Sequence, residues 1–272
     1  MTDVTAPGQG PGRLIYRQRL PVRLWHWLNA LSVILMLMSG MMIFNAHPQL
    51  YWGQYGANYE TPWLEIGAQD GTGFLRVGPV TVPTTGVLGV SSAGERAFPP
   101  VLTIPSSYDL AGARQWHFAF AWLLVIPGLL FWAWGIAARH VQNDLAPTRD
   151  QIRPRNIWQD IKDHARLRFH TGEAARRYNI LQKFSYVGVI FGLLPAMVLT
   201  GLTMSPDMDA AWPWLLDLSG GRQSARSIHF ICAGLLVAFI LVHLLMVVLA
   251  GPLNELRSMI TGWYRLPQEK AE

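Results

Sequence analysis

The sequence predicts an all-α membrane protein, a bundle of four transmembrane helices with a long insertion between helices 1 and 2. Hydrophobic residues make up 51% of the 272 residues and charged residues only 14%, whereas average soluble domains carry about 25% charged residues. Four stretches contain no Asp, Glu, Lys or Arg, namely 24–44, 116–138, 184–204 and 228–250. Each is longer than the roughly 18 apolar residues that mark a spanning helix.

The first apolar stretch lies within "RLPVRLWHWLNALSVILMLMSG" and follows a tail that contains four arginines. A secretory signal peptide has an apolar core of roughly 7–15 residues and a small-residue cleavage site. The stretch 24–44 is longer, and no such site follows it. It is therefore predicted to be a retained membrane helix.

The distribution of basic residues predicts the orientation in the membrane. Residues 139–183 contain ten Lys or Arg, whereas residues 47–114 contain three. Because cytoplasmic loops carry the excess of Lys and Arg, both termini and the middle loop are predicted to be cytoplasmic. The same rule explains the net charge of +5 without nucleic-acid binding. In a bacterium the protein is expected in the inner (plasma) membrane, with 47–113 and 206–225 on the periplasmic side.

These boundaries divide the chain into nine predicted segments. They are an N-terminal tail (1–23), helix 1 (24–46), a periplasmic insertion (47–113), helix 2 (114–138), a basic cytoplasmic loop (139–179), helix 3 (180–205), a periplasmic loop (206–225), helix 4 (226–250) and a cytoplasmic C-terminal tail (251–272).

The insertion 47–113 is too long for a plain helix connection, since most of these run roughly 2–8 residues. It begins with a group of aromatic residues, namely Tyr51, Trp52, Tyr55, Tyr59 and Trp63. Turn formers and β-branched residues in "FLRVGPVTVPTTGVLGV" then predict a small strand-and-turn cap. Two interpretations stay open: a loop folded over the helix ends, or a docking platform for a partner protein.

Spans 2 and 3 contain Pro127 and Pro195, which kink a helix but are tolerated inside a membrane bundle. The spans also contain several glycines: Gly40, Gly128, Gly192, Gly201 and Gly234. Small residues allow close helix packing and equally make room for a flat cofactor. Spacing alone leaves both interpretations open.

Four of the eight histidines lie in the spans: His26, His117, His229 and His243. Ionisable residues inside membrane spans are rare and usually functional, although any single one could be a core histidine bonded to a carbonyl. The other four are expected to be solvated surface residues at span ends or in the middle loop: His47, His140, His164 and His170.

The span histidines fall at two depths. With alternating helix directions, His26 and His243 lie near the cytoplasmic face, and His117 and His229 near the periplasmic face. The fourteen residues from His229 to His243 cover roughly 21 Å of helix and just under four turns, so both side chains leave nearly the same face of span 4. The predicted pairs are therefore His26 with His243 and His117 with His229.

Two imidazoles that face each other across a bundle can be the axial ligands of a haem iron. The single cysteine, Cys232, excludes a C-x-x-C-H attachment motif, so these haems would be b-type. Zinc normally takes four ligands, and each depth offers only two. A proton relay is a further alternative, but such relays usually include Asp or Glu, which these spans lack.

Arginines lie beside three of the four histidines. Arg23 precedes His26, Arg114 precedes His117 and Arg226 precedes His229. Each guanidinium could bind a haem propionate by charge-assisted hydrogen bonds. The competing interpretation is that these arginines anchor the spans at lipid headgroups. Arg114 and Arg226 are retained as candidate cofactor-binding residues.

Three segments together resemble a known family: "VRLWHWLNALSVILMLMSG", "RQWHFAFAWLL" and "RSIHFICAGLLVAFILVHLL". They resemble the bacterial cytochrome b561 / nickel-iron hydrogenase b-type cytochrome family, which includes cytochrome b subunits of formate dehydrogenase and thiosulfate-reductase-like enzymes. The resemblance covers about residues 14–260, and its most specific feature is the histidine pair fourteen residues apart on the last helix.

The resemblance implies a four-helix membrane cytochrome with two b haems, which carries electrons between a quinone pool and a partner oxidoreductase. It carries the ligand role to His26, His117, His229 and His243. For the quinone it offers no strong motif, and Trp27 and Asn29 beside His26 are weak candidates. The insertion resembles that of cytochromes paired with periplasmic molybdopterin-dependent oxidoreductases.

A second function is compatible with the same residues. Some small members of the family resemble a stand-alone periplasmic superoxide:quinone oxidoreductase. That function requires an open, positively charged site at the outer haem, the one predicted between His117 and His229. Arg114 and Arg226 could attract an anion there. A folded cap over that haem argues mildly against it.

Overall fold

The computed structural model describes residues 12–56, 59–166 and 180–266. Within these residues, four helices are long and apolar enough to cross a membrane: Leu20–Phe44, Leu110–Ala137, Ile180–Thr203 and Arg222–Ala250. The predicted fold class is confirmed to this extent, as a mostly helical chain with four candidate membrane-spanning helices. The first of these helices begins at Leu20 with Pro21 in its first turn, where proline loses no helical hydrogen bond.

In chain order, the α-helices of the described residues are α1 (Leu20–Phe44), α2 (Leu110–Ala137), α3 (Pro154–Ala165), α4 (Ile180–Val187), α5 (Leu194–Thr203), α6 (Pro206–Ala211), α7 (Trp214–Ser219), α8 (Arg222–Ala250) and α9 (Pro252–Thr261). The strands are β1 (Leu14–Tyr16), β2 (Gln49–Leu50), β3 (Leu64–Gln69), β4 (Thr72–Val77), β5 (Val80–Pro83), β6 (Gly89–Ser91), β7 (Gly94–Arg96) and β8 (Trp263–Arg265).

Two π-helical segments accompany the spans. The segment Gly188–Leu193 joins α4 to α5 just before Pro195, and the segment Val141–Leu145 follows α2. A π-helical turn lets a helix accommodate a residue that cannot continue the regular hydrogen-bond ladder, and such turns are frequent at functional sites.

The chain divides into two compact units. The terminal unit comprises residues 1–27, 127–194 and 236–272, and the insertion unit comprises residues 28–126 and 195–235. Each candidate span contributes residues to both units. His26 and His243 belong to the terminal unit, whereas His117 and His229 belong to the insertion unit.

In the terminal unit, the two ends of the described chain pair with each other. Strands β1 and β8 are antiparallel, with Leu14 opposite Arg265 and Tyr16 opposite Trp263. Tyr264 and Leu266 form a small buried cluster against Ile15. The segments that flank the first and last spans are thus hydrogen-bonded together.

Helix α9 is held against the start of α1 by side chains of α1 and of the segment that precedes it. The Arg23 guanidinium donates to the Ile260 carbonyl (2.7 Å), and the Trp27 indole donates to the Met259 carbonyl (3.0 Å). Arg17 lies 3.7 Å from the Glu255 carboxylate. Burial raises the pKa of Glu255, and the charge of Arg17 opposes that rise.

In the insertion unit, the region after α1 is a four-stranded antiparallel sheet in the order β2-β3-β4-β5, with the hairpin β6-β7 beside it. This confirms the strand-and-turn character predicted from its composition. The β3-β4 turn is Asp70-Gly71, and both residues have positive φ, as a two-residue type I′ hairpin requires. One buried cluster holds the sheet to the end of α1: Phe44, Leu50, Leu64, Ile66 and Ala97.

The five aromatic residues at the start of the insertion divide into internal and exposed groups. Tyr51 is buried, and the partly buried Trp63 donates from its indole to the Ser227 hydroxyl (2.9 Å). Trp52, Tyr55 and Tyr59 are 54%, 78% and 91% exposed. Of these five aromatic residues, three are therefore available to a partner, because the other two pack against the protein itself.

Candidate functional site

The terminal unit contains the first predicted histidine pair. His26 on α1 and His243 on α8 have ring centroids 6.3 Å apart and ring planes 56° apart. Phe239 stacks on His243 one turn earlier on α8, at 5.7 Å between centroids. Among the described residues, the buried Nδ1 of His26 has no hydrogen-bond partner.

The insertion unit contains the second predicted pair with almost the same geometry. His117 on α2 and His229 on α8 have centroids 6.3 Å apart and planes 55° apart. Here both Nδ1 atoms are bonded: His117 to the Ser39 hydroxyl (3.1 Å) and His229 to the Thr200 hydroxyl (3.0 Å). Both predicted pairings are thus found as close side-chain neighbours within their units.

The hydroxyl groups determine which ring nitrogen is free. Ser39 donates its proton to the Leu35 carbonyl (2.8 Å), and Thr200 donates to the Ala196 carbonyl (2.7 Å). A hydroxyl has one proton, so each must accept from the imidazole Nδ1–H. In a neutral imidazole this leaves the lone pair on Nε2. His117 and His229 are therefore held in the tautomer that binds a metal through Nε2.

Glycine follows each of these hydroxyl residues. A side-chain Cβ at Gly40 would lie 3.5 Å from Cε1 of His117, and one at Gly201 would lie 3.6 Å from Cε1 of His229. A larger residue would occupy the space beside each ring. A single Cβ at these distances makes an ordinary van der Waals contact, so the two glycines are compatible with both interpretations, close packing and room for a flat group.

The pairs fit axial ligation of haem iron. With about 2 Å for each metal–imidazole nitrogen bond and about 1 Å more to the ring centre, histidines on opposite sides of one metal have centroids about 6 Å apart. No group of three or more His, Cys, Asp or Glu that could hold a metal ion occurs among the described residues. Haem needs only two protein ligands, since the macrocycle provides the other four. A four-ligand zinc site has no such support.

The two candidate propionate-binding arginines have different environments. Arg226 donates from both terminal nitrogens to backbone carbonyls just after α1, those of His47 and Gln49. Arg114 is exposed, and its guanidinium lies 5.9 Å from the Phe118 ring centre. Arg226 thus anchors the insertion to α8, and a propionate there would have to share donors already in use. Arg114 forms no hydrogen bond with the described residues, so its N–H donors are available to a propionate.

The two candidate quinone residues also differ. The single donor of the Trp27 side chain is bonded to the Met259 carbonyl, so this indole can offer a quinone only its ring face. The Oδ1 atom of Asn29 is buried without a hydrogen-bond partner among the described residues. Of the two, Asn29 keeps a polar group available.

The expectation that His140 is a solvated surface residue is wrong. Its side chain is 8% exposed, and Nδ1 lies 2.7 Å from the Asp144 carboxylate. The i,i+4 spacing of His and Asp in "HVQND" could have indicated this pair, but its burial depends on the packing around it.

His47 is partly buried, and burial and the charge of Arg226 lower its pKa. The side chain of His164 and the whole of His170 lie outside the described residues.

Comparison with known proteins identifies the family. The sequence profile described as prokaryotic cytochrome b561 matches residues 17–262, a range that includes all four span histidines. The chain belongs to the prokaryotic cytochrome b561 family. It is accordingly a membrane b-type cytochrome of electron transport, and membership implies haem b as its cofactor.

Relatives of this cytochrome carry the names of subunits of larger complexes. The chain is 28% identical over 241 residues to the "Putative protein-methionine-sulfoxide reductase subunit YedZ1" of Azospira oryzae. The matched region covers 89% of this chain and 93% of the relative. It is 22% identical over 278 residues to the "Probable Ni/Fe-hydrogenase B-type cytochrome subunit" of Cupriavidus necator, covering 96% and 92%. No solved structure matches the chain.

A third relative is named as a cytochrome alone. The "Putative cytochrome YdhU" of Escherichia coli is 24% identical over 258 residues, covering 93% of this chain and 76% of the relative. The relatives match across most of this chain.

Proposed function

We propose that this cytochrome binds two b haems and transfers electrons between the quinone pool and a partner oxidoreductase. The observation that carries the proposal is the pair of equivalent histidine sites, each with centroids 6.3 Å apart, one in each unit. Haem iron supplies reversible one-electron transfer at a potential that depends on its ligands, burial and nearby charge. His26 and His243 would hold one haem, and His117 and His229 the other.

The chain's own residues prepare the second site more fully than the first. Ser39 and Thr200 fix the ring tautomers of His117 and His229, and Gly40 and Gly201 leave space beside the rings. At the first site, Phe239 fixes His243 by stacking, whereas His26 keeps an unbonded Nδ1. Different surroundings of the axial ligands are a means of giving two haems different potentials.

The haem count tests the proposal directly. Pyridine haemochrome analysis of the purified protein should give about two haems per chain, on the basis of two axial-ligand pairs. His229→Gln should remove the haem of the insertion unit and leave the other, and His243→Gln should do the reverse. His47→Gln changes a histidine outside both pairs and should keep both haems. A wild-type preparation that saturates at one haem per chain would contradict the two-site proposal.

For the orientation, we propose that both termini and the basic middle loop are cytoplasmic and that residues 47–113 are periplasmic, in a bacterial inner membrane. The ten basic residues of 139–183 support this. The pairing of β1 with β8 supports placing both chain ends on one side, because two hydrogen-bonded strands cannot lie on opposite faces of a bilayer. Quinone exchange would then take place near His26 and His243, with Trp27 as a ring-face contact, and Asn29 stays a separate candidate from the sequence.

We propose a periplasmic oxidoreductase of the molybdopterin type as the partner that docks on the insertion. The relatives named as a protein-methionine-sulfoxide reductase subunit and a hydrogenase subunit support a complex with an oxidoreductase. The exposed aromatic residues Trp52, Tyr55 and Tyr59 are of the type enriched at protein interfaces. The stand-alone superoxide:quinone oxidoreductase is not favoured, because these relatives are named as subunits.

A further inference from the structure

A buried histidine outside both ligand pairs lies at the end of α2. His140 is 7% exposed and begins the π-helical turn Val141–Leu145 as its N-cap residue. The residue before it, Arg139, has a positive φ of 52°, a conformation that non-glycine residues adopt rarely. The chain therefore turns sharply in order to place this imidazole inside the protein.

The imidazole ring is fixed on two sides. The rings of Phe131 and Trp134 pack against it, at centroid distances of 6.3 Å and 5.2 Å. On the remaining edge Nδ1 is bonded to the Asp144 carboxylate at 2.7 Å. A carboxylate accepts, so the ring donates from Nδ1 and its lone pair is on Nε2. Nε2 forms no hydrogen bond with the described residues, and the ring is thus arranged as a base.

The histidine is connected by ring contacts to the residue beside His26. Phe131, which packs on His140, also stacks on Trp25 with centroids 4.3 Å apart and planes 8° apart. Trp25 immediately precedes His26 in α1. All of these residues belong to the terminal unit, so two successive ring contacts join the base to Trp25, the residue that precedes the proposed haem ligand His26 in α1.

Two further charged groups lie near the pair. Lys183 on α4 is buried and donates to the Ala146 carbonyl (3.0 Å) at the end of the turn. Arg139 is exposed. The Asp144 side chain is 31% exposed, and it is therefore the member of the pair through which a proton can reach water.

We propose that His140 is the proton acceptor for quinol oxidation and that Asp144 positions it; this inference rests on the proposed function. Oxidation of one quinol to quinone breaks two O–H bonds and releases two protons and two electrons. Nε2 of His140 accepts one proton at a time, and Nδ1 passes a proton by way of Asp144 to water. The electrons leave one at a time to the bound cofactor and finally reduce the substrate of the partner oxidoreductase.

The experiment compares His140→Gln and Asp144→Asn with wild type, with His47→Gln as a histidine control in the other unit. Haem reduction by a short-chain quinol is followed by stopped flow from about pH 5.5 to about pH 8.5. A second readout is the binding of a fluorescent hydroxyquinoline quinone analogue, measured by quenching. Haem content and the dithionite-reduced spectrum show whether the sites are intact.

We expect His140→Gln to slow quinol-dependent reduction about 100-fold, within the range for loss of a general base, with haem content unchanged. The rise of the rate with pH in wild type should be absent from this variant. Asp144→Asn should reduce the rate less and shift the pH profile. In both variants the analogue should bind more weakly, whereas His47→Gln should behave as wild type.

Two results would overturn the inference. One is a His140→Gln protein with the wild-type rate and pH profile. The other is loss of haem from both variants, which would identify the pair as structural support for the end of α2. If quinol fails to reduce wild type as well, the proposed quinone function is wrong, a result distinct from failure of the variant alone.

Discussion

Ser39 and Thr200 stand in equivalent positions on two helices. Each hydroxyl accepts from the Nδ1–H of a histidine of the insertion-unit pair, donates to a carbonyl of its own helix and is followed by glycine. A hydrogen bond from the outer nitrogen of a ligating histidine fixes the ring and makes it a more basic ligand. These two residues therefore fix the ring orientation of both proposed ligands of one haem and would set their donor strength.

Removing these hydroxyl groups should weaken and retune that site alone. We expect Ser39→Ala and Thr200→Val each to lower haem affinity at the His117–His229 site about 10-fold or more, as loss of a partner of a metal ligand typically does. The reduction potential of this haem should rise, because a less basic ligand stabilises ferric iron less. Redox titration of the purified protein measures both effects.

The chain offers matched controls on the same two helical segments. Ser32 on α1 is buried, and its hydroxyl has no hydrogen-bond partner among the described residues. Thr203 on α5 donates to the Leu199 carbonyl instead of contacting His229. Ser32→Ala and Thr203→Val should leave the potential of this haem unchanged. An equal change in the control variants would show that the effect is a general loss of packing.

At the scale of elements, the insertion is a folded sheet whose first part, residues 47–63, is hydrogen-bonded to α8. Arg226 and Ser227 on α8 donate hydrogen bonds to backbone carbonyls of the segment after α1. The Trp63 indole in turn donates to the Ser227 hydroxyl. Residues 71–97 include β4 to β7 and the buried Ala97. A deletion of this segment would expose the core around Phe44, so substitutions of exposed residues are the sharper test of docking.

Replacing Tyr55 and Tyr59 with Ala should impair contact with the partner. Exposed aromatic residues contribute strongly to interfaces, and these two are 78% and 91% exposed. We expect electron exchange with the partner to slow about 10-fold, a loss typical of an interface hot spot, while haem content and reduction by quinol stay unchanged. Trp158→Ala, an exposed aromatic residue on α3 of the terminal unit, should have no effect. Unaltered exchange in the double variant would identify the insertion as a lid.

At the scale of the whole molecule, each of two units contains one histidine pair, and each candidate span contributes to both units. Helix α8 carries one ligand of each pair, His229 and His243. The terminal unit also contains the described chain ends, the β1-β8 pair and the His140–Asp144 pair. The proposed proton acceptor and the described chain ends thus belong to one unit, and the folded insertion belongs to the other.

The membrane topology is a testable property of the complete chain. A reporter fused after Glu272 should behave as cytoplasmic, because the middle loop has ten basic residues against three in 47–114. A reporter placed at the exposed turn after Gly78 should behave as periplasmic. Alkaline phosphatase activity from the fusion after Glu272 would refute the proposed orientation.

The sequence by itself determined the properties that depend on local spacing. Uninterrupted apolar runs predicted the four candidate spans. Turn formers and β-branched residues predicted the strands of the insertion. The fourteen-position spacing of His229 and His243 predicted two ligands on one face of α8. These properties could be predicted because hydropathy and helical periodicity are determined by neighbours in the chain.

The tertiary structure decided which side chains meet across elements. Ser39 lies 78 residues from His117, and Arg226 lies 179 residues from His47; no local pattern relates such positions. The bond of Trp27 to Met259 and the burial of His140 likewise arise from the packing of α1 and α2 against other parts of the terminal unit. Hydrogen bonds are short and directional, so the partner of a polar side chain is determined only when packing brings the two groups within reach.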